Sequence, residues 1–156
     1  MANTQAVCNT FRRDLLNGLH AFGATVVRGA TTKDFFKMAL YLTTATVNAS
    51  STAYTATGEL AATGNYTATG AAVTNGTDPA ITGGTGIVAW WNPTASVSWA
   101  ALTSSGAFDA CMLYNDTSAG KNAVAVFTFG SQTVTAGTFT LNMPAAAYNT
   151  VLIMLG

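Results

Sequence analysis

Few side chains in this sequence could do covalent chemistry. There is one histidine, His20, two cysteines, Cys8 and Cys111, and six carboxylates, Asp14, Asp34, Glu59, Asp78, Asp109 and Asp116. Nucleophilic catalysis needs a serine or cysteine whose proton passes to a histidine held by a carboxylate. His20 is the sole candidate base, and it falls in an N-terminal stretch with helical periodicity. The G-x-S-x-G turn has no match; the nearest run, Thr103-Ser104-Ser105-Gly106, lacks the first glycine. Carboxylates brought together by folding could cleave glycosides. Those of the body, however, are flanked by turn residues, a setting that suits solvated loops. A lone histidine and two distant cysteines give no zinc spacing. Gly83-Gly84-Thr85-Gly86 lacks the lysine and following helix of a phosphate cradle. The expectation is a protein that is not an enzyme and has no catalytic, cofactor-binding or metal-binding residues.

Composition admits two readings: a soluble β-protein whose surface polarity comes from Thr, Ser, Asn and Gly, or a subunit whose surface is largely buried in an assembly. Only 8% of the 156 residues are charged, against roughly 25% in a typical soluble domain. The net charge is zero, which favours association over dispersal, and interface cores are depleted in charge. The charges are also unevenly placed. Arg12, Arg13, Arg28, Lys33 and Lys37 crowd the first quarter, whereas Glu59, Asp78, Asp109 and Asp116 face only Lys121 in the remainder. A basic N-terminal part suits attachment to an acidic protein surface. Nucleic acid would call for a denser basic stripe, and no apolar run is long enough to span a membrane. The opening MANTQAVCNTF lacks the pattern of a secretory signal. The two cysteines are therefore expected as free buried thiols, and the Asn-x-Ser/Thr sequences at Asn48, Asn65, Asn75 and Asn115 as chance matches in a Thr-rich chain.

The elements follow from periodicity. Val7, Phe11, Leu15, Leu19 and Phe22 recur at helical spacing, so a helix is predicted from Asn3 to Phe22, capped by Asn3 or Thr4. Gly18 weakens its last turn and Gly23 ends it. Beyond Gly23 the pattern is of strands: Asp34–Thr43, the alternation from Ser96 to Ala101, the apolar run Ala123–Phe129, Thr138–Met143 and Val151–Leu155, punctuated by Gly, Asn, Asp and Pro. Such short strands predict a mainly β fold: one antiparallel β-sandwich or jelly-roll-like domain, with residues 1–23 as an N-terminal helix or arm and 24–156 as the body. The pentapeptide YTATG, starting at Tyr54 and again at Tyr66, is expected to lead two strands ending at glycine. Their small exposed side chains would suit a contact surface. Trp90 and Trp91 must leave a strand on opposite sides, one toward the core and one toward a partner or ligand.

Several of these segments together resemble small virion proteins of tailed double-stranded DNA bacteriophages. They are the opening MANTQAVCNTFRRDLLNGLHAFG, the strand FKMALYLTTAT, Tyr54 with Glu59-Leu60 and Gly64-Asn65-Tyr66 ahead of Gly70, then Met112-Leu113-Tyr114-Asn115, AVAVFTFG and AGTFTLNMP. The likeness covers nearly the whole chain and is weakest from Ile81 to Ala101. It implies a capsid decoration (cement) protein on the outer capsid surface, made in the bacterial host cytoplasm. Its partners would be the major capsid protein and further copies of itself, as dimer or trimer, with no nucleic acid and no membrane. A tail or tail-fibre component is the alternative location, and a carbohydrate-binding module using Trp90, Trp91 or Trp99 the alternative of another class. The interface candidates are Phe11, Arg12, Arg13, Leu15, Lys33, Lys37, Tyr54, Tyr66, Trp90 and Trp91.

Overall fold

A computed structural model describes residues 2–23, 33–75, 78–82, 88–145 and 150–155. The molecule is mainly β, with antiparallel sheets in a sandwich-like arrangement and one short helix near the N-terminus. Its centre is β8 (Phe108–Asn115), paired on one side with β9 (Ala123–Gln132) and on the other with β2 (Phe36–Leu42). The two-residue strand β1 (Ala6–Val7) adds outside β9, and β4 (Ala71–Val73) adds outside β2. FDACMLYN in β8 is buried at every position but Asp109, because both faces of this sheet are covered. The near-continuous apolar runs of β2 and β9 answer the same demand.

Two smaller sheets do part of the covering. One contains β10 (Gly137–Leu141), β7 (Val97–Ser104) and β3 (Ala62–Thr63). Phe139 of β10 meets Phe108 of the central sheet edge-on, with ring centroids 4.9 Å apart, and Trp99 of β7 lies against Tyr66. The other contains β11 (Ile153–Leu155), β6 (Val88–Trp91) and β5 (Ala80–Thr82). Its Trp91 enters the core against Phe22, at 4.8 Å, and Phe36, while Phe22 and Phe36 stack nearly parallel at 4.4 Å.

The N-terminal segment departs from the predicted twenty-residue helix. The only helix among the described residues, α1, spans Asn9–Leu16. Residues before it are extended because tertiary partners take their backbone donors: Thr4 donates to the Val47 carbonyl, Cys8 to Val124 and Asn9 to Ala49. Asn3 is no cap. It is a buried strut whose amide donates to the Leu42 carbonyl and to Asp109, and whose oxygen accepts from the Val47 N–H. The helix ends early at Gly18, whose φ of +67° permits a left-handed turn. There the Gly18 N–H returns to Leu15 and the Leu19 N–H to Asp14, the two-bond glycine stop described for helix C-termini. The segment is packed into the core through Cys8, Phe11, His20 and Phe22, all buried.

The YTATG repeats also differ from two exposed strands. Each is a turn ending on a glycine at positive φ, Gly58 at +77° and Gly70 at +73°. Together they close the outer edge of β2, which β4 covers only from Phe36 to Met38. Past that point the Leu40 N–H donates to the Tyr66 hydroxyl, the Leu40 carbonyl accepts from Leu60, and the Leu42 N–H donates to the Gly58 carbonyl. An open strand edge is a template for unwanted pairing, and here it is satisfied by turns. The turn at Gly70 comes so near that a Cβ there would lie 1.9 Å from the Met38 carbonyl oxygen.

Two outcomes follow for folding. Gly70→Ala should lower unfolding stability by at least about 2 kcal/mol in urea titrations, through steric overlap and left-handed strain. Gly130→Ala, with nothing within 4 Å of the new methyl, should change it by less than about 1 kcal/mol. Deleting residues 2–22 should abolish cooperative unfolding and near-ultraviolet circular dichroism, because it removes β1 together with Phe11, His20 and Phe22; a truncated chain with a native-like melt would show that the body folds alone.

Candidate interaction surface

The described residues hold no cluster of three or more His, Cys, Asp or Glu side chains that could bind a metal. The catalytic candidates also point inward. His20 is buried among the tilted rings of Phe11, Phe22 and Phe36, with its Nδ1 3.2 Å from the Asn115 side-chain nitrogen. That same amide nitrogen donates to Asp34, while its oxygen accepts from the N–H groups of Thr117 and Ser118. Asp34 in turn accepts from the Ala21 N–H. The group ties residues 19–21 to the ends of β2 and β8. Its geometry is that of an anchor. The glycine run Gly83–Gly86 and Arg28 lie outside the described residues.

The surface feature that stands out is an apolar depression between α1 and the β11–β6–β5 sheet. Phe11 and Leu15 of α1, Phe22, Trp90 and Trp91 of β6, and Ile153 and Leu155 of β11 line a cavity of about 90 Å³, with Pro79 and Ala89 completing it. It continues into an open groove bordered by Arg12, Leu15, Leu16, Met154 and Leu155. Leu16 is 91% exposed and Met154 45%. Ile81 on the β5 edge is likewise open, at 72%. A large apolar side chain standing in water is ordinary by itself; several bordering one apolar recess mark a contact site. Helix periodicity positions them: Phe11 and Leu15, four residues apart, lean toward the body, and Arg12 and Leu16 face outward beside them.

The structure divides the ten interface candidates. Leu15, Trp90 and Arg12 border this recess from accessible positions. Phe11, Trp91 and Tyr66 are buried in the molecule's own core, at 0%, 2% and 2% exposure, so they shape or support surfaces and do not form them. Trp99 is buried as well, which leaves Trp90 as the one tryptophan with a half-open ring. Arg13 is exposed but pairs with the neighbouring Asp14. Lys37 is held by Asp116 at 3.0 Å, and Lys121 pairs with the same carboxylate. Burial alone would raise the Asp116 pKa, but hydrogen bonds and charge from the two lysines outweigh it and hold the group below the usual range. Lys33 is half-buried.

Tyr54 belongs to an internal cluster that residue types alone did not reveal. Glu59 sits between the two repeats and accepts from the Tyr54 hydroxyl at 2.5 Å, the Tyr66 hydroxyl at 2.8 Å and the Thr69 N–H at 2.8 Å. Tyr41 and Tyr114, on the adjoining sheet, donate to the Thr55 and Thr69 carbonyls, each at 2.7 Å. The available signal was the identical Tyr-to-Gly spacing of the repeats with a single glutamate between them. Burial, and then the hydrogen bond and charge of Glu59, push the Tyr54 phenol up to about 12. Burial raises Tyr41, Tyr66 and Tyr114 further, with the negative charge of Glu59 adding to it. The buried thiols of Cys8 and Cys111 rise to about 11 and about 12 for the same first reason, and both are free.

No helix among the described residues is long and apolar enough to cross a membrane. No family model, curated protein or solved structure matches the chain.

The raised phenols and thiols make the fold alkali-labile. An unfolded tyrosine ionises near pH 10 and a cysteine near 8.5, and the folded groups hold their protons to higher pH. Between those values the unfolded chain binds fewer protons, so stability falls as pH rises. Stability should be fully present below about pH 8.5 and decline from there through pH 12. In a titration followed at 295 nm and by circular dichroism, the buried phenols should ionise together with loss of the fold. Stepwise ionisation of all tyrosines near pH 10 in a still-folded protein would contradict the cluster.

Proposed function

We propose that this protein is a structural component of a phage virion, a capsid decoration protein that binds the outer capsid surface and stabilises the shell. The observation that carries the reading is the accessible apolar recess of α1, β6 and β11, with Leu16 and Met154 standing in solvent at its rim and Arg12 beside them. A surface of this kind is useful when another protein covers it. Low charge supports the same reading, as does the resemblance of the sequence to small virion proteins. A decoration protein binds the assembled shell and not its dispersed subunits, so its binding free energy adds to the stability of the shell alone. Repetition over the particle lets modest contacts act together. The compact sheets carry no heptad or shaft repeat of a fibre, which favours the capsid over the tail.

Quantitative mass spectrometry of purified particles, separated into heads and tails, tests this. The protein should appear in heads at a copy number comparable with that of the major capsid protein. Heads stripped of it should lose resistance to heat or osmotic shock. Enrichment in tails would overturn the decoration role, and absence from particles would overturn the virion role altogether.

A further inference from the structure

The recess has a chemistry that selects its occupant. Every described residue lining the inner cavity is apolar, and its volume of about 90 Å³ suits one aliphatic side chain of a partner. Immediately outside it the groove carries Arg12, exposed on α1, with no carboxylate partner among the described residues. Among the described residues, no acidic side chain borders either the cavity or the groove. An apolar hole beside an unpaired guanidinium is complementary to an aliphatic side chain followed closely by a carboxylate.

A second copy of this chain is poorly equipped to supply that carboxylate. Its six acidic side chains already have work inside the molecule. Asp14 accepts from Arg13 and Asn122, and Asp34 from the Ala21 N–H and Asn115. Glu59 accepts from Tyr54 and Tyr66, Asp109 from Asn3, and Asp116 is shared by Lys37 and Lys121. Asp78 is engaged as well. Withdrawing any of them would cost an existing interaction.

We infer that the groove between α1 and β11 is a docking site for a short acidic, aliphatic segment of a different protein, with one side chain seated against Leu15 and Trp90 and a carboxylate on Arg12. The inference rests on the reading of the protein as a packing component and specifies the partner's chemistry at that site.

The probe is a capped five-residue peptide alternating glutamate and leucine, compared with its glutamine counterpart, titrated into the isotopically labelled full-length protein and followed by NMR. The glutamate peptide should shift the signals of Leu15, Leu155 and the Trp90 indole. It should bind roughly threefold to fivefold more tightly than the glutamine peptide at low ionic strength, and the difference should shrink as salt is added. Arg12→Gln, on an exposed helix position, should leave the spectrum native and erase the preference while preserving binding of the glutamine peptide. Four results would overturn the inference: equal binding of the two peptides, a preference that survives Arg12→Gln, shifts confined to other surfaces, or no shift at millimolar peptide. It would also fail if these signals moved with protein concentration alone and Leu16→Glu stopped them, because a second copy would then be the occupant. Particle composition decides the virion role independently, so either idea can fail without the other.

Discussion

The backbone of Leu40 sets the main constraint on this molecule. β2 lies second from the edge of the central sheet, yet β4 covers only its first residues, which would leave a buried N–H without a strand to receive it. The Tyr66 hydroxyl accepts that N–H and donates its own hydrogen bond to Glu59, which also accepts from the Tyr54 hydroxyl and the Thr69 N–H. A buried donor left unmet costs about 1–3 kcal/mol, more when a charged group is involved. The relay therefore fixes where both repeats must lie. Glycine at positions 58 and 70 suits these turns, since both curl with positive φ while Gly58 crowds Ala45 and Gly70 crowds Met38 of β2.

The same economy of polar groups governs the rest of the surface. With so few charges in the chain, the carboxylates are committed to internal partners: Asp109 to Asn3, Asp34 to the segment after α1, Asp116 to two lysines. Asp116 is balanced by Lys37 and Lys121, whereas Asp109 and Glu59 are held by neutral donors and keep their charge. Arg12, exposed on the N-terminal helix, is placed next to the apolar recess. Helix, recess and cation form one unit because the helix stops at Gly18. Another turn of helix would have carried residues 17–23 away from the positions where His20 and Phe22 now close the core.

The N-terminal segment and the central sheet interlock through side chains of very different sequence separation. Asn3 reaches Leu42, Val47 and Asp109, and Asn115 reaches Leu19, His20 and Asp34. Each buried amide meets several backbone or carboxylate partners at once. Such shared networks favour one arrangement, at the cost that removing one member leaves the others unmet.

The sequence by itself determined the mainly β fold class and several strands, but not the central strand β8, whose buried run FDACMLYN lacks the alternation that marks a half-covered strand. Alternation and β-branched runs marked Phe36–Leu42, Val97–Ser104, Ala123–Gln132 and Gly137–Leu141 closely, because side-chain period is a local property that burial of a sheet face enforces. Tertiary structure alone decided that residues 3–7 are extended, because their N–H groups are claimed by Val47 and by β9, far away in the chain. It decided too that Tyr66 and Trp91 point inward. Nothing in YTATG distinguishes an exposed strand from a turn; only the unpaired edge of β2, and the glutamate that two tyrosines share across it, selects the turn. Hydrophobic period is written in neighbouring residues, whereas the satisfaction of a buried hydrogen bond depends on which distant atom arrives to meet it.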